Sequence, residues 1–242
     1  MNTFKNKIIS ILVLSVLNIF TIKAQQDTIS TKKTLKPIIV SSALVLTGLI
    51  LINDNFKKQQ LDFRSYNFPN FQTKIDDYLQ FFPHALYMSG SLINLKTKHS
   101  FKDRAGIMAM GSIIVMSATT LLKNTTNIMR PDGSKNNSFP SGHTAKVFFG
   151  AALLDLEYDE CKDWYNYCNY GIAASVGILR VANNKHWVSD VLVGAGLGIL
   201  SAKCAYWLYP KAKSLLFGRN TNLSLMPLYN GNNLCLQANY NF

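Results

Sequence analysis

Apolar runs and the polar breaks between them divide this chain of 242 residues into segments. Ile8 to Ile22 is apolar with few interruptions and follows Lys5 and Lys7. That is the charge order of an export signal, and it sets residues 1–24 apart, with Lys23-Ala24 as a tolerable cleavage site. An uncleaved membrane anchor is the alternative for the same stretch. Residues 25–36 are polar and read as a lead-in. Ile38 to Asn53 carries no charge over 16 residues, and periodicity alone does not separate a short span from a buried helix. Residues 54–83 are mixed and aromatic-rich, with Pro69 and Pro83 as breakers, and residues 84–95 are apolar again. Ala105 to Leu122 runs 18 residues without a charge, the one segment after the leader that reaches the usual spanning length. Trp164 to Leu179 is uncharged but half polar. Val191 to Ala202 is apolar and Gly-rich, and the pattern resumes from Cys204 to Tyr209 before Pro210. The pattern predicts five or six helices and little sheet, an all-α fold.

The tail differs. Leu234, Leu236, Ala238, Tyr240 and Phe242 alternate with Cys235, Gln237, Asn239 and Asn241, the period of a strand with one apolar face. Leu223 to Tyr229 lies before Asn230-Gly231-Asn232-Asn233, and Asn-Gly is a strong hairpin signal. The expected arrangement is a short C-terminal β-hairpin over 219–242 that packs on a helical domain over 37–218. One hairpin does not close a barrel, so an outer-membrane reading fails.

Charge narrows the partners. Lys and Arg number 25 against 13 Asp and Glu, for +12, and loss of residues 1–24 removes three lysines and no acid, leaving +9. The cations are scattered, with no basic stripe interleaved with aromatics, so nucleic acid is not the expected partner. Anionic lipid or an anionic substrate is. Export permits disulfides, and Cys161 and Cys168 flank a polar aromatic loop and could pair, although free thiols are favoured for all four cysteines.

Three short runs carry the chemistry: Lys123 to Arg130-Pro131, Pro140-Ser141-Gly142-His143, and Arg180 to His186 and Asp190, all within 68 residues. They supply three long cations, two histidines and a carboxylate. Attack on a phosphate ester requires its negative oxygens to be held as charge spreads in the transition state. Lys123 and Arg130, seven apart, would share one face of a helix that Pro131 ends near Met129. A Pro-Ser-Gly turn entering a helix offers unpaired N–H groups of Ser141 and Gly142 to an anion, with His143 beside it. His186 and Asp190, spaced i to i+4, would be neighbours on a helix face, the carboxylate fixing one ring nitrogen and leaving the other free to attack. Each run has a bland alternative: a solvated helix end, a capped helix with a surface histidine, a structural His–Asp pair. A metal centre is not expected, because the possible ligands are few and sit among cations. Gly194, Gly196 and Gly198 lie in a helical stretch rather than after a strand, so they imply no dinucleotide loop, and Gly194 and Gly198 read as a close packing face. Trp187 is expected to pack on a neighbouring helix and aim His186, and His84 and His99 read as ordinary residues without partners.

In combination these runs resemble the signature motifs of the type 2 phosphatidic acid phosphatase (PAP2) superfamily, K-x6-RP, PSGH and SR-x5-H-x3-D, over residues 105–209. The superfamily includes lipid phosphatases, bacterial acid phosphatases and vanadium haloperoxidases. The family's serine before the third-motif arginine is Leu179 here. The resemblance implies a helical bundle in which His186 attacks phosphorus to form a phosphohistidine and Asp190 orients it. His143 would protonate the leaving group and then activate water. Lys123, Arg130 and Arg180 would hold the phosphoryl oxygens with the Ser141 and Gly142 backbone, and no cofactor or metal is implied. The tail hairpin and the stretch Asn183 to Trp187 are similar to exported bacterial members. This implies a phosphorylated lipid, such as lipid A or a polyprenyl diphosphate, and an inner-membrane enzyme whose site faces the periplasm. The alternatives are a soluble periplasmic acid phosphatase acting on small phosphate esters, a vanadium haloperoxidase, and a non-catalytic scaffold.

Overall fold

The computed structural model describes residues 31–93, 96–158, 163–217, 223–229 and 234–240. The expected leader, Cys161 and the Asn-Gly turn lie outside the described residues. Two compact units divide the chain, Met1–Ala205 and Tyr206–Phe242.

Among the described residues, the regular structure of the first unit is helical. Its helices are α1 (Thr31–Ile50), α2 (Asp54–Asn67), α3 (Ile75–Leu79), α4 (Phe82–Ser89), α5 (Phe101–Thr126), α6 (Gly142–Glu157), α7 (Asp163–Ala182) and α8 (Val188–Phe217), whose end lies in the second unit. The count exceeds the expected five or six because α3 and α4 are too short to show a period. Side-chain caps set the starts: Asn53 accepts from Phe56 N at 2.7 Å, and Ser100 accepts from Asp103 N at 3.2 Å. Between α1 and α2 the chain bends by 93°.

Among the described residues, two helices are long and apolar enough to cross a membrane, Phe101–Thr126 and Val188–Leu216. The second corrects the expectation of a single such segment. Asp190, Lys203 and Pro210 interrupt its uncharged run, yet the helix carries through Pro210. On α5, Ile113, Met116 and Leu121 are exposed, as a lipid-facing stripe requires.

Helix α6 is the hub. Ala145, Val147, Phe149, Ala151, Ala152, Leu153 and Leu154 are all buried along it. Val147 and Ala151 pack with Ala173 and Val176 of α7, while Val45 and Leu49 of α1 pack with Phe139 and Val193 of α8. Glycines make α8 fit. A Cβ on Gly198 would lie 2.3 Å from Ala145 O, and one on Gly194 2.6 Å from Ser141 O. Gly196 turns the other way, 2.6 Å from Ser41 O on α1. Gly194 and Gly198 are therefore the close packing face predicted, and Gly196 adds a second contact, with α1.

At the end of α6 away from its N-terminus lies a polar cluster. Buried Glu157 accepts from His99 N at 2.7 Å and pairs with His99 Nδ1 at 2.9 Å. His99 is thus not the partnerless residue expected; the contact spans 58 positions and leaves no local signal. Fully buried Arg104 donates to Tyr87 O at 2.8 Å and Tyr158 Oη at 2.7 Å. His84 sits against Phe149, and burial pushes its imidazole down to about 4. Cys168 and Cys204 are free thiols.

In the second unit, β1 (Leu223–Tyr229) and β2 (Leu234–Tyr240) run antiparallel, with Leu223 opposite Tyr240 and Tyr229 opposite Leu234.

The glycine contacts generate a stability test. Gly198→Ala places a methyl group against a carbonyl that cannot retreat without moving α6. Overpacking of this kind costs about 1–3 kcal/mol, so the thermal midpoint in detergent should fall by several degrees. An unchanged midpoint would contradict the packing.

Candidate active site

Each of the three motif runs lies at a helix end. Helix α5 stops at Thr126 because Asn127 adopts the left-handed conformation, φ 47°, and returns its N–H to Lys123 O. The end falls three residues before the Met129 that Pro131 suggested, since asparagine tolerates this conformation and closes the helix first. Lys123 therefore stands in the last turn and Arg130 in the loop beyond, not on one helix face as predicted. Asn137 brings them together. Its backbone oxygen accepts from Lys123 Nζ at 2.6 Å and its Oδ1 accepts from Arg130 Nε at 3.0 Å.

The second run caps α6. Ser141 Oγ lies 3.4 Å from Thr144 N and 2.8 Å from Thr144 Oγ1. The Ser141 N–H donates to Asp190 O at 3.0 Å. This corrects the expectation that Ser141 offers its backbone N–H to an anion: that donor is spent on α8. The N–H groups of Gly142 and His143 have no partner among the described residues and point the positive end of the helix at the site. A Cβ on Gly142 would lie 4.0 Å from Lys123 Cε, so the lysine stem passes alongside.

The third run is a turn, not a helix face. Lys185 N and His186 N both donate to Arg180 O, at 3.1 and 3.3 Å, and Asn184 holds φ 58°. Helix α8 begins only at Val188. Asp190 is the third residue of its first turn and reaches back to accept from Trp187 N at 2.9 Å, half of a capping box. The same Oδ2 accepts from Ser138 Oγ and lies 3.5 Å from His186 Nδ1. Four side-chain atoms of this run are buried without a hydrogen bond: His186 Nδ1, Asp190 Oδ1, Arg180 Nε and Asn184 Oδ1. The first two are a complementary donor and acceptor, and catalytic pairs are commonly looser before ligand binds. The third is a guanidinium donor left over for an oxyanion.

Burial pushes the His186 imidazole down to about 4; Asp190 opposes the shift, and the Arg180 and Lys123 charges add to it. At neutral pH His186 is therefore uncharged. Burial also lowers His143, helped by Arg180, while the Asp77 contact raises it. Trp187 meets α2, where Lys57 Nζ stands 5.5 Å from the ring centre, and its Nε1 also donates to Met129 O at 2.8 Å. No cluster of three His, Cys, Asp or Glu side chains suited to a metal occurs among the described residues.

Several site neighbours carried no motif signal. Asp76 Oδ2 accepts from Arg180 Nη1 at 2.7 Å, and its Oδ1 accepts from Asn183 Nδ2 at 3.1 Å. Asp77 Oδ1 is 2.9 Å from His143 Nε2 and 3.8 Å from Arg180 Nη1. Gln60 donates to His186 O at 3.2 Å and accepts from Val188 N at 2.8 Å. An adjacent acid pair in a basic chain was the one available sign of Asp76 and Asp77.

Residues 104–214 match the model of the PAP2 superfamily. A protein of Porphyromonas gingivalis named lipid A 1-phosphatase is 35% identical over 174 residues, 69% of this chain and 38% of the relative. Bacitracin transport permease protein BcrC of Bacillus licheniformis is 38% identical over 76 residues, 31% of this chain and 36% of the relative. The chain thus spans well under half the length of these two relatives. The crystal structure of a transmembrane PAP2-type phosphatidylglycerolphosphate phosphatase from Bacillus subtilis shares the fold: TM-score 0.52, 18% identity, 73% of this chain and 96% of that one. The family-model match over residues 104–214 contains all three motifs. Over residues 104–214 the chain belongs to the PAP2 superfamily.

Proposed function

We propose that this protein is a metal-independent phosphoric monoester hydrolase acting on a phosphorylated lipid through a phosphohistidine. One observation carries the reading: an uncharged, buried His186 stands beside Asp190 and within the field of Lys123 and Arg180. His186 attacks phosphorus through Nε2 while Asp190 takes the Nδ1 side and stabilises the cation that forms. Lys123, Arg130 and Arg180 hold the equatorial oxygens, with the Gly142 N–H assisting. His143 gives its proton to the leaving oxygen, then takes one from the water that cleaves the phosphorus–nitrogen bond. Ser141 acts through its cap rather than its N–H.

Two helices of spanning length, one with an exposed apolar stripe, favour a membrane-embedded enzyme over a soluble acid phosphatase. The P. gingivalis relative suggests lipid A as a substrate, with polyprenyl diphosphate as the other candidate. In this reading residues 1–24 direct export, 37–218 form the phosphatase domain with its site toward the periplasm, and 219–242 append a hairpin.

Phosphate release from purified protein should be measured on lipid A, phosphatidic acid, polyprenyl diphosphate and a soluble aryl phosphate. A lipid should be preferred, vanadate should inhibit competitively, and His186→Ala should lower kcat at least about 10³-fold. Undiminished turnover by His186→Ala would end the mechanism. The kcat/KM profile should be a bell on the acid side of neutrality. It should rise as His186 loses its proton near pH 4 and fall as His143 loses its own below 6.5. A profile still climbing above pH 8 would contradict these assignments.

A further inference from the structure

Helix α3 brings two carboxylates to the site, and they are not equivalent. Asp76 is fully buried and tied on both oxygens, to Arg180 and Asn183. Asp77 is half exposed, with side-chain exposure of 50%, and its Oδ1 meets His143 Nε2 at 2.9 Å. A carboxylate on one nitrogen of an imidazole selects the tautomer with hydrogen on that nitrogen and leaves the other as the working atom. Asp190 faces His186 from the Nδ1 side at 3.5 Å, and Asp77 meets His143 on Nε2 at the closer distance of 2.9 Å.

We propose that Asp77 is the positioning residue of His143, holding Nε2–H so that Nδ1 delivers and recovers the catalytic proton. The proposal rests on the phosphatase reading and deepens it. In the first step the Nδ1–H of the imidazolium passes to the leaving oxygen as the phosphorus–oxygen bond breaks and the His186 Nε2–phosphorus bond forms. The ring is left neutral, with hydrogen on Nε2 against Asp77. In the second step water attacks phosphorus, its proton goes to Nδ1, and the bond to His186 breaks. The imidazolium is restored and phosphate is released, with no proton or electron unaccounted for.

The charges around His143 come from each side. Asp77 and Asp76 of α3 favour its protonated form, and Arg180 of α7 disfavours it. Lys123 of α5 passes beside Gly142, and Lys146 lies one turn along α6 with its Nζ 6.0 Å from the Phe81 ring. With cations on three elements, the acid has one half-exposed carboxylate in contact to keep its proton in the acid range. Asp76 serves a separate purpose: it aims Arg180 through Nη1, which leaves the unpaired Nε for substrate.

Asp77→Asn keeps the size and the acceptor but removes the charge. Two readouts test the idea. In the first, the His143 ring nitrogens are titrated by NMR in the full-length protein in detergent micelles. The variant should titrate lower than wild type by about half a unit or more, and its neutral ring should lose the preference for Nε2–H. An unmoved titration overturns the proposal whatever the protein turns over. In the second, kcat is compared on an alkyl phosphate lipid and on an aryl phosphate with a good leaving group. Asp77→Asn should lose about 10-fold or more on the lipid and much less on the aryl ester, and the alkaline limb should move to lower pH. Equal losses with an unmoved limb, or a variant faster than wild type, would mean that the carboxylate merely obstructs the oxyanion site, and would overturn the proposal. Asp77→Glu should restore part of the lipid rate. If the wild type releases no phosphate from any substrate, the phosphatase reading falls with its proton transfers, while the titration still decides whether Asp77 holds His143.

Discussion

Asp190 carries its charge where no water reaches it, and an uncompensated carboxylate there would cost several kcal/mol. What compensates it assembles the site. Ser138 donates from the segment before α6, Trp187 N donates from the turn before α8, and His186 stands at ion-pair range. The backbone oxygen of the same residue takes the Ser141 N–H. One residue therefore couples the second and third motifs, and the cap of α6, the start of α8 and the orientation of His186 are consequences of satisfying it. Gly194 allows this approach, because a side chain there would strike Ser141 O.

The remaining parts are held by residues outside the motifs. Asn137 joins Lys123 to Arg130, so the first motif is bound to the approach to the second. Gln60 of α2 takes both His186 O and Val188 N, and Arg64 donates to Ala182 O at 3.2 Å. The turn that carries His186 is thus clamped from α2 on one side and from Asp190 on the other. Helix α3 adds the carboxylates that engage Arg180 and His143. A catalytic geometry built from loop residues needs this supporting shell, since motif side chains alone do not fix their own rotamers.

The legible part of the sequence was what depends on local pattern or on residue type. Uncharged runs marked α1, α5 and α8, and the three runs of cations and histidines marked the site because their combination is rare. Three local rules misled. Pro131 pointed to a helix end near Met129, but left-handed Asn127 closes α5 earlier. The i to i+4 spacing of His186 and Asp190 suggested a helix face, whereas a turn and a first helical turn give the same proximity. The Pro-Ser-Gly turn promised a free Ser141 N–H that α8 consumes. Contacts such as Asp76 with Arg180, 104 positions apart, or Gln60 with His186, 126 apart, are properties of the fold and have no sequence period.

In the proposed mechanism the Nε2 of His186 is the atom that binds phosphorus. Rapid acid-free quenching during turnover, followed by mass spectrometry of the peptide that contains residues 180–190, reads this directly. The expected result is a transient, acid-labile phosphoryl group on His186 that disappears when substrate is exhausted. A phosphoryl group on another residue, or turnover in ¹⁸O-water that proceeds at full rate with no phosphorylated peptide at any time, would contradict it.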